Sequence, residues 1–255
     1  MTVNGLSNFL NKRIPRELSC SWDNDGLMCC PDGDREVKKA LFCLDVTPDA
    51  IECAIDGGYD VIISHHPLIF KGVKTLSGDL GIPSRLIRLI KNDIAVMSYH
   101  TRFDAVDGGV NDVLAELFEL YDVEKVECDG IEVMRVGMLP SEMDIEAFTK
   151  LVCKKLGCEH LNYSVSSAKV HRLALVGGGG GSYIREAAAS GADTYLSGEI
   201  GYHNLTDARD MRINLVEAGH YYTEYPALAA LATFVREEDP TIQCDFYRSN
   251  VINSI

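Results

Sequence analysis

Residues 39–66, KALFCLDVTPDAIECAIDGGYDVIISHH, decide the fold class. KALFCLDV (39–46) and VIIS (61–64) are apolar runs of strand length. Between them Pro48 opens a helix, and Gly57 and Gly58 make its natural stop. A strand, a helix and a second strand in so short a span form a parallel crossover unit. The same alternation runs along the chain. Strand-like runs recur at IAVMS (94–98), RLALVG (172–177), DTYLSG (193–198), INLVEAG (213–219) and CDFY (244–247). Helical stretches lie between most of them: IPSRLIRLIKN (82–92), GVNDVLAELFEL (109–120), DIEAFTKLVCKKLG (144–157), YIREAAASG (183–191) and TEYPALAALATFVREE (223–238). Asp144 caps its helix and Gly157 ends it. The expected fold class is α/β, with largely parallel sheets covered by helices.

The stretch YDVEKVECDGIEV is acidic and weakly periodic. A soft division placed there gives an N-terminal half, 1–125, and a C-terminal half, 126–255. The halves look alike in style, each setting strands ahead of histidine-bearing loops, but no short fixed repeat appears. The 255 residues are 46% apolar and 24% charged, ordinary values for a soluble globular protein. No apolar run approaches the roughly 18 residues a membrane span needs. The opening MTVNGLSNFLNKRIP lacks the basic-then-apolar layout of a signal peptide, so a cytoplasmic location is expected. The net charge of −14, with no lysine or arginine run longer than two, argues against a nucleic-acid partner. Nine cysteines without a CxxC read as free thiols in a reducing compartment.

The positions of the histidines carry the chemistry. Of seven, five follow apolar strands: His65 and His66 after VIIS, His100 after IAVMS, His203 after TYLSGE and His220 after INLVEAG. The carboxyl ends of parallel strands form one edge, where ligands bind. Carboxylates accompany these imidazoles: Asp104 in HTRFD, Glu199 four residues before His203, and Glu224 four residues after His220. Imidazole with carboxylate suits a divalent zinc, iron or manganese ion. Any one histidine of this kind is more often a hydrogen-bonded structural residue. The joint pattern at four strand ends favours a metal site. Neighbours in an extended chain point to opposite sides, and Pro67 keeps His66 extended, so His65 and His66 are expected to serve two ions rather than one.

GGGGGS (177–182) is read as a tight strand-to-helix turn in preference to a phosphate cradle, since no Gly-Lys-Ser/Thr follows. Trp22, in SWDNDGL, is a packing residue that could also stack on a substrate ring. Ser64 and Ser197 lie near histidines, but no GxSxG elbow surrounds either.

Taken together, SWDNDGL (21–27), DVIISHHPLIF (60–70), YHTRFDAVDGGVND (99–112), LVGGGGGS (175–182), DTYLSGEIGYHN (193–204) and EAGHYYTEYPAL (217–228) resemble the Nif-three-like family. Its members are often labelled GTP cyclohydrolase I type 2 homologues or dinuclear metal centre proteins. The resemblance covers about residues 5–250. It implies two interlocked α/β halves, a metal site between them and, in this compact chain, no inserted middle domain. It implies two divalent metal ions per chain held by His65, His66, Asp104, His220 and Glu224, with Asp104 and Glu224 as bridges. His100, Glu199 and His203 would line the cavity, supporting the ligands or facing the substrate. From their spacing, His203 is read as a catalytic proton donor or acceptor with Glu199 setting its tautomer or raising its pKa, a structural hydrogen-bonded pair being the alternative. A toroidal homohexamer is implied as well. MCC after WDNDGL, and the wording around VGML (136–139), depart from the family pattern without touching a proposed ligand.

Two divalent cations and two carboxylates leave two positive charges, which a bridging hydroxide and an anionic ligand such as phosphate can meet. Metal-assisted hydrolysis of a nucleotide or other phosphate-containing small molecule is the expected reaction class. A non-enzymatic metal-handling, metal-delivery or regulatory scaffold protein is the alternative, because it needs the same ligands.

Overall fold

The computed structural model describes residues 1–79, 81–167 and 169–251. In chain order the strands are β1 (Gly26–Cys29), β2 (Lys39–Cys43), β3 (Val61–Ser64), β4 (Ala95–Ser98), β5 (Tyr121–Cys128), β6 (Ile131–Met143), β7 (Asn162–Ser164), β8 (Val170–Val176), β9 (Thr194–Ser197), β10 (Asn214–Glu217) and β11 (Gln243–Phe246). The helices are α1 (Val3–Arg13), α2 (Pro48–Gly57), α3 (Gly81–Lys91), α4 (Thr101–Ala105), α5 (Val110–Leu117), α6 (Ile145–Leu156), α7 (Ile184–Ala189), α8 (Tyr202–Met211), α9 (His220–Glu224) and α10 (Leu228–Glu238). The fold is mixed α/β, with two sheets whose cores are parallel and covered by helices. No described helix is long and apolar enough to cross a membrane.

The first compact unit comprises Met1–Val106 and Leu228–Val251. Its strand order is β1-β4-β3-β2-β11, parallel except for β1. Apart from the half-buried Lys39, strands β2, β3 and β4 are apolar or small and buried, as strands covered on both faces must be. Thr47 caps α2 by accepting from the Ala50 N–H, and Gly58 closes it in the left-handed region at φ 64°. The apolar stripe Ala50, Ile51 and Ala54 then packs with Leu41, Ile62, Leu89 and Val96. Each large aliphatic side chain so buried contributes about 1.5–3 kcal/mol.

The second unit comprises Asp107–Ala227. Its strand order is β5-β6-β8-β9-β10-β7, with β8, β9 and β10 parallel and the outer pairings antiparallel. Asp144 caps α6 through the Ala147 N–H, and Gly157 ends it at φ 71°, as its sequence predicts. Phe148 and Val152 of α6 pack on Leu173, Leu175 and Val216.

The expected division near residue 125 gives way to one at 106/107, and Leu228–Val251 returns to the first unit. The last four residues of the expected C-terminal half lie outside the described residues. Two pairings account for the difference. Strand β11 adds in parallel to β2, and the stretch read as a weakly periodic divide is the hairpin β5–β6. Residues Tyr121–Lys125 of β5 are exposed, so the strand shows no alternation of polarity. The turn is Asp129-Gly130, both in the left-handed region at φ 52° and 84°. An Asp-Gly pair between two runs is a strong local hairpin signal.

Asp60 ties the start of the first sheet together. It accepts from the Lys38 and Lys39 N–H groups at 2.8 and 2.9 Å and from Arg35 Nη2 at 2.7 Å. Burial alone would raise its pKa; these donors outweigh that and hold it below the ordinary carboxylate value. Its stabilisation is therefore complete above about pH 4 and is lost as pH falls through the lowered native value. Asp60→Ala should cost about 2 kcal/mol at neutral pH. In urea titrations the gap between variant and parent should narrow as pH falls below about 4; a gap that stays constant on acidification would show that the carboxylate charge contributes nothing.

Candidate metal centre

In the first unit three parallel strands end in register, Cys43 beside Ser64 and Ser64 beside Ser98. Asp45, His65, His66 and His100 follow these strand ends on one edge of the sheet. The ring centroids of His65 lie 5.1 Å from His66 and 5.4 Å from His100. Ligand atoms of the three histidines lie within 4.8 Å of one another. His65 and His66 thus converge instead of pointing to opposite sides. The reason is local: the chain bends at both residues, and Ser64 Oγ donates to the His66 carbonyl at 2.8 Å.

Each of the three rings is held by its Nδ1. That of His65 lies 2.9 Å from the Tyr99 carbonyl oxygen. A carbonyl only accepts, so this nitrogen carries a proton, and in the neutral ring Nε2 keeps its lone pair. His66 Nδ1 lies 2.9 Å from Asp45 Oδ1, and His100 Nδ1 lies 2.9 Å from Asp23 Oδ1. This is the outer-shell arrangement that orients metal-binding imidazoles and raises their basicity. Asp23 itself is firmly anionic. Burial would raise its pKa, but hydrogen bonds from His100 and from the Thr101 hydroxyl and N–H bring it down to about 2.

Asp104 completes the first unit's donor set. It stands on α4, and its Oδ1 lies 3.6 Å from Nε2 of the fully buried His65. A neutral ring nitrogen and a carboxylate so placed can both bind a cation. In the second unit His220 and Glu224 share one face of α9, with Nε2 3.0 Å from Glu224 Oε1. On its other side, His220 Nδ1 lies 3.4 Å from Glu199 Oε1. Gly178, at φ 64°, lets the chain pass this pair closely: a Cβ there would overlap Glu224 Oε1 and lie 3.2 Å from His220 Nε2. The glycine run is therefore a close-approach turn, continuing through a short 3-10 turn into α7.

His203 is placed differently from the other strand-end histidines. It lies on α8, exposed, with its ring 5.7 Å from Tyr202. Among the described residues it shares no hydrogen bond or ion pair with Glu199, which faces His220 instead. Asp23 and Asp45 are the site residues that sequence reasoning passed over. Asp45 follows β2 at the same strand edge as the histidines, so extending the strand-end rule to carboxylates would have found it. Asp23 sits in a loop, and its only signal was its place in SWDNDGL. The cysteines play no part here. All nine are free thiols, and burial raises that of Cys29 to about 11 and that of Cys128 to about 12, as expected of small core residues.

Residues 1–254 match the family described as Duf34/NIF3 (NGG1p interacting factor 3). The chain belongs to the Duf34/NIF3 family. A NIF3 relative from Clostridium perfringens, named GTP cyclohydrolase 1 type 2 homolog, is 34% identical over 245 residues, 93% of this chain and 92% of its own length. Among solved structures, the hypothetical protein SA1388 of Staphylococcus aureus superposes with a TM-score of 0.90 at 27% identity, covering 100% of this chain and 99% of that one. Reduced HcgD from Methanocaldococcus jannaschii gives 0.83 at 29% identity, covering 96% and 97%. For this NIF3 chain the donor chemistry fits a metal ion. Imidazole Nε2 atoms oriented through Nδ1, with carboxylates beside them, can bind a borderline divalent cation.

Proposed function

We propose that His65, His66, Asp104, His220 and Glu224 hold two divalent metal ions per chain, zinc, iron or manganese, with Asp104 and Glu224 as the bridges. On this reading the protein is a metal-dependent hydrolase of a nucleotide or another phosphate-containing small molecule, acting in the cytoplasm. The observation that carries the proposal is the set of Nδ1 contacts. The carbonyl of Tyr99 and the carboxylates of Asp45, Asp23 and Glu199 each lie against one imidazole Nδ1, which leaves Nε2 as the ring's second donor atom.

Bound divalent ions supply Lewis acidity and a water activated at neutral pH. The chain's own residues would do the rest. The two bridging carboxylates offset part of the cationic charge and leave a net positive site that attracts an anionic ligand. His100, fixed by Asp23, offers Nε2 to move a proton on the substrate side. His203 is a further candidate for the same work, while Glu199 would orient His220 as a ligand. The name of the Clostridium relative supports trying a purine nucleotide first.

Elemental analysis of purified, metal-supplied protein should approach two equivalents of transition metal per chain. A screen of nucleotides and phosphate esters with defined metals should then find turnover. A value near zero after metal addition overturns the metal assignment. Full loading, no turnover and ready release of metal to an acceptor protein overturn the hydrolase in favour of a metal carrier. The same preparation tests assembly: a closed homohexamer of 28.1 kDa chains should scatter light as a particle of about 170 kDa.

A further inference from the structure

We infer that Trp22 and Phe70 form the seat for a planar heteroaromatic ring, that of a phosphate-bearing ligand of the nucleotide class. Both belong to the first unit, and both are unusually open for their size: Trp22 is 55% exposed and Phe70 47%. Their rings meet edge to face, with centroids 6.0 Å apart at 66°. A corner of this kind offers one ring face for stacking and one ring edge as a wall.

The corner adjoins the imidazole cluster. The His100 ring lies 6.0 Å from Trp22 and 6.5 Å from Phe70, while also lying 5.4 Å from His65 and 5.7 Å from His66. One histidine is thus common to the aromatic pair and to the candidate metal ligands. A molecule whose anionic end rests at the ligands would extend past His100 and reach the two rings within the length of a nucleotide. The direction of that molecule rests on the metal reading proposed above; the seat itself rests on the aromatic geometry alone.

The backbone beneath the exposed rings is pinned. Asp23, next to Trp22, has its side chain fully buried and bonded to His100 and Thr101. The Cys20 N–H donates to Thr101 Oγ1 at 2.9 Å. The Asn24 side-chain amide donates to the Ile69 carbonyl, linking the segment that bears Trp22 to the one that bears Phe70. Large apolar rings on an immobilised frame, beside convergent polar groups, are the making of a ligand pocket. Stacking on them needs no sequence-specific hydrogen bond and so accepts either purine, the base deciding affinity less than the ring.

Trp22 is the one tryptophan in the chain, so its fluorescence reports on the seat directly. With zinc-loaded full-length protein, GMP should quench that emission saturably. Ribose 5-phosphate should bind by calorimetry and leave the emission unmoved. Phe70→Ala should keep its metal content and weaken GMP binding by about tenfold, the order of one lost stacking contact. GMP binding seen by calorimetry with unchanged Trp22 emission, and with Phe70→Ala at parental affinity, would overturn the seat. So would resistance of Trp22 to acrylamide, which would mark the face as buried between copies. No GMP binding to fully loaded protein overturns it too. Quenching that persists in protein unable to take up metal supports the seat and overturns the metal reading alone.

Discussion

Asp104→Ala should strip the protein of both metal ions. The carboxylate stands 3.6 Å from His65 Nε2, on a helix that begins directly after His100. On the assignment proposed above it would serve both ions, and its removal would also take one negative charge from their site. Losing an outer-shell partner already costs about 10–100-fold in metal affinity. Losing a shared ligand should exceed the upper end of that range, and elemental analysis after gel filtration should find almost none. Circular dichroism should be unchanged, because Thr101 and Arg102 still fasten the helix to Asp23 and Asp25. His203→Ala is the matched control and should retain the parental metal content, since its exposed ring lies against Tyr202. Retention of one full equivalent by Asp104→Ala would reassign Asp104 as ligand to a single ion.

Arg102→Met should be the most destabilising single change outside the ligands. Arg102 and Asp25 form an ion pair at 2.9 Å with both side chains 1% exposed. The guanidinium also donates to Asn11 Oδ1 and to the Ile14 carbonyl, each at 2.9 Å, and lies 4.6 Å over the Tyr99 ring. Methionine fills part of the volume but leaves the Asp25 carboxylate buried without its partner. Breaking a buried pair in this way costs about 3–5 kcal/mol. For a chain of this size that lowers Tm by roughly 10 °C. Pairing the change with Asp25→Leu should recover much of the loss, because no isolated charge remains. A double variant no more stable than Arg102→Met would show that packing around the guanidinium, not the stranded charge, sets the cost.

The candidate site was largely legible because its chemistry sits at strand ends. Parallel strands are apolar throughout, so VIIS and IAVMS announce themselves, and whatever polar residue follows them must lie on the ligand edge. Asp45 follows the same rule and was overlooked for want of a histidine beside it. The orientation of His65 and His66 was out of reach: it depends on a bend held by Ser64 Oγ, which strand periodicity does not encode. Strand β5 was missed because an exposed edge strand has no buried face to impose alternation. A likeness in how the two units are built was also hidden. Each sheet has a run of adjacent parallel strands, four in the first and three in the second; β4 and β10 are each followed by a short helix with histidine and acid four apart at its start, His100 with Asp104 and His220 with Glu224. HTRFD and HYYTE share too few letters for that to be read without the topology.

The return of Leu228–Val251 to the first unit has a consequence for synthesis on the ribosome. The first unit is begun first and finished last. Its β2 edge waits for β11, whose residues emerge after the whole of Asp107–Ala227 has been made. At 5–20 residues per second, about 200 intervening residues keep that edge open for on the order of 10–40 s. An open, apolar strand edge is a template for pairing with other nascent chains. The inserted unit carries its own sheet in full by Ala227 and can fold while the edge is still waiting. The carboxy-terminal strand therefore acts as the closing step of biogenesis, and a ribosome that stops short of Gln243 releases a chain with one finished unit and one exposed seam.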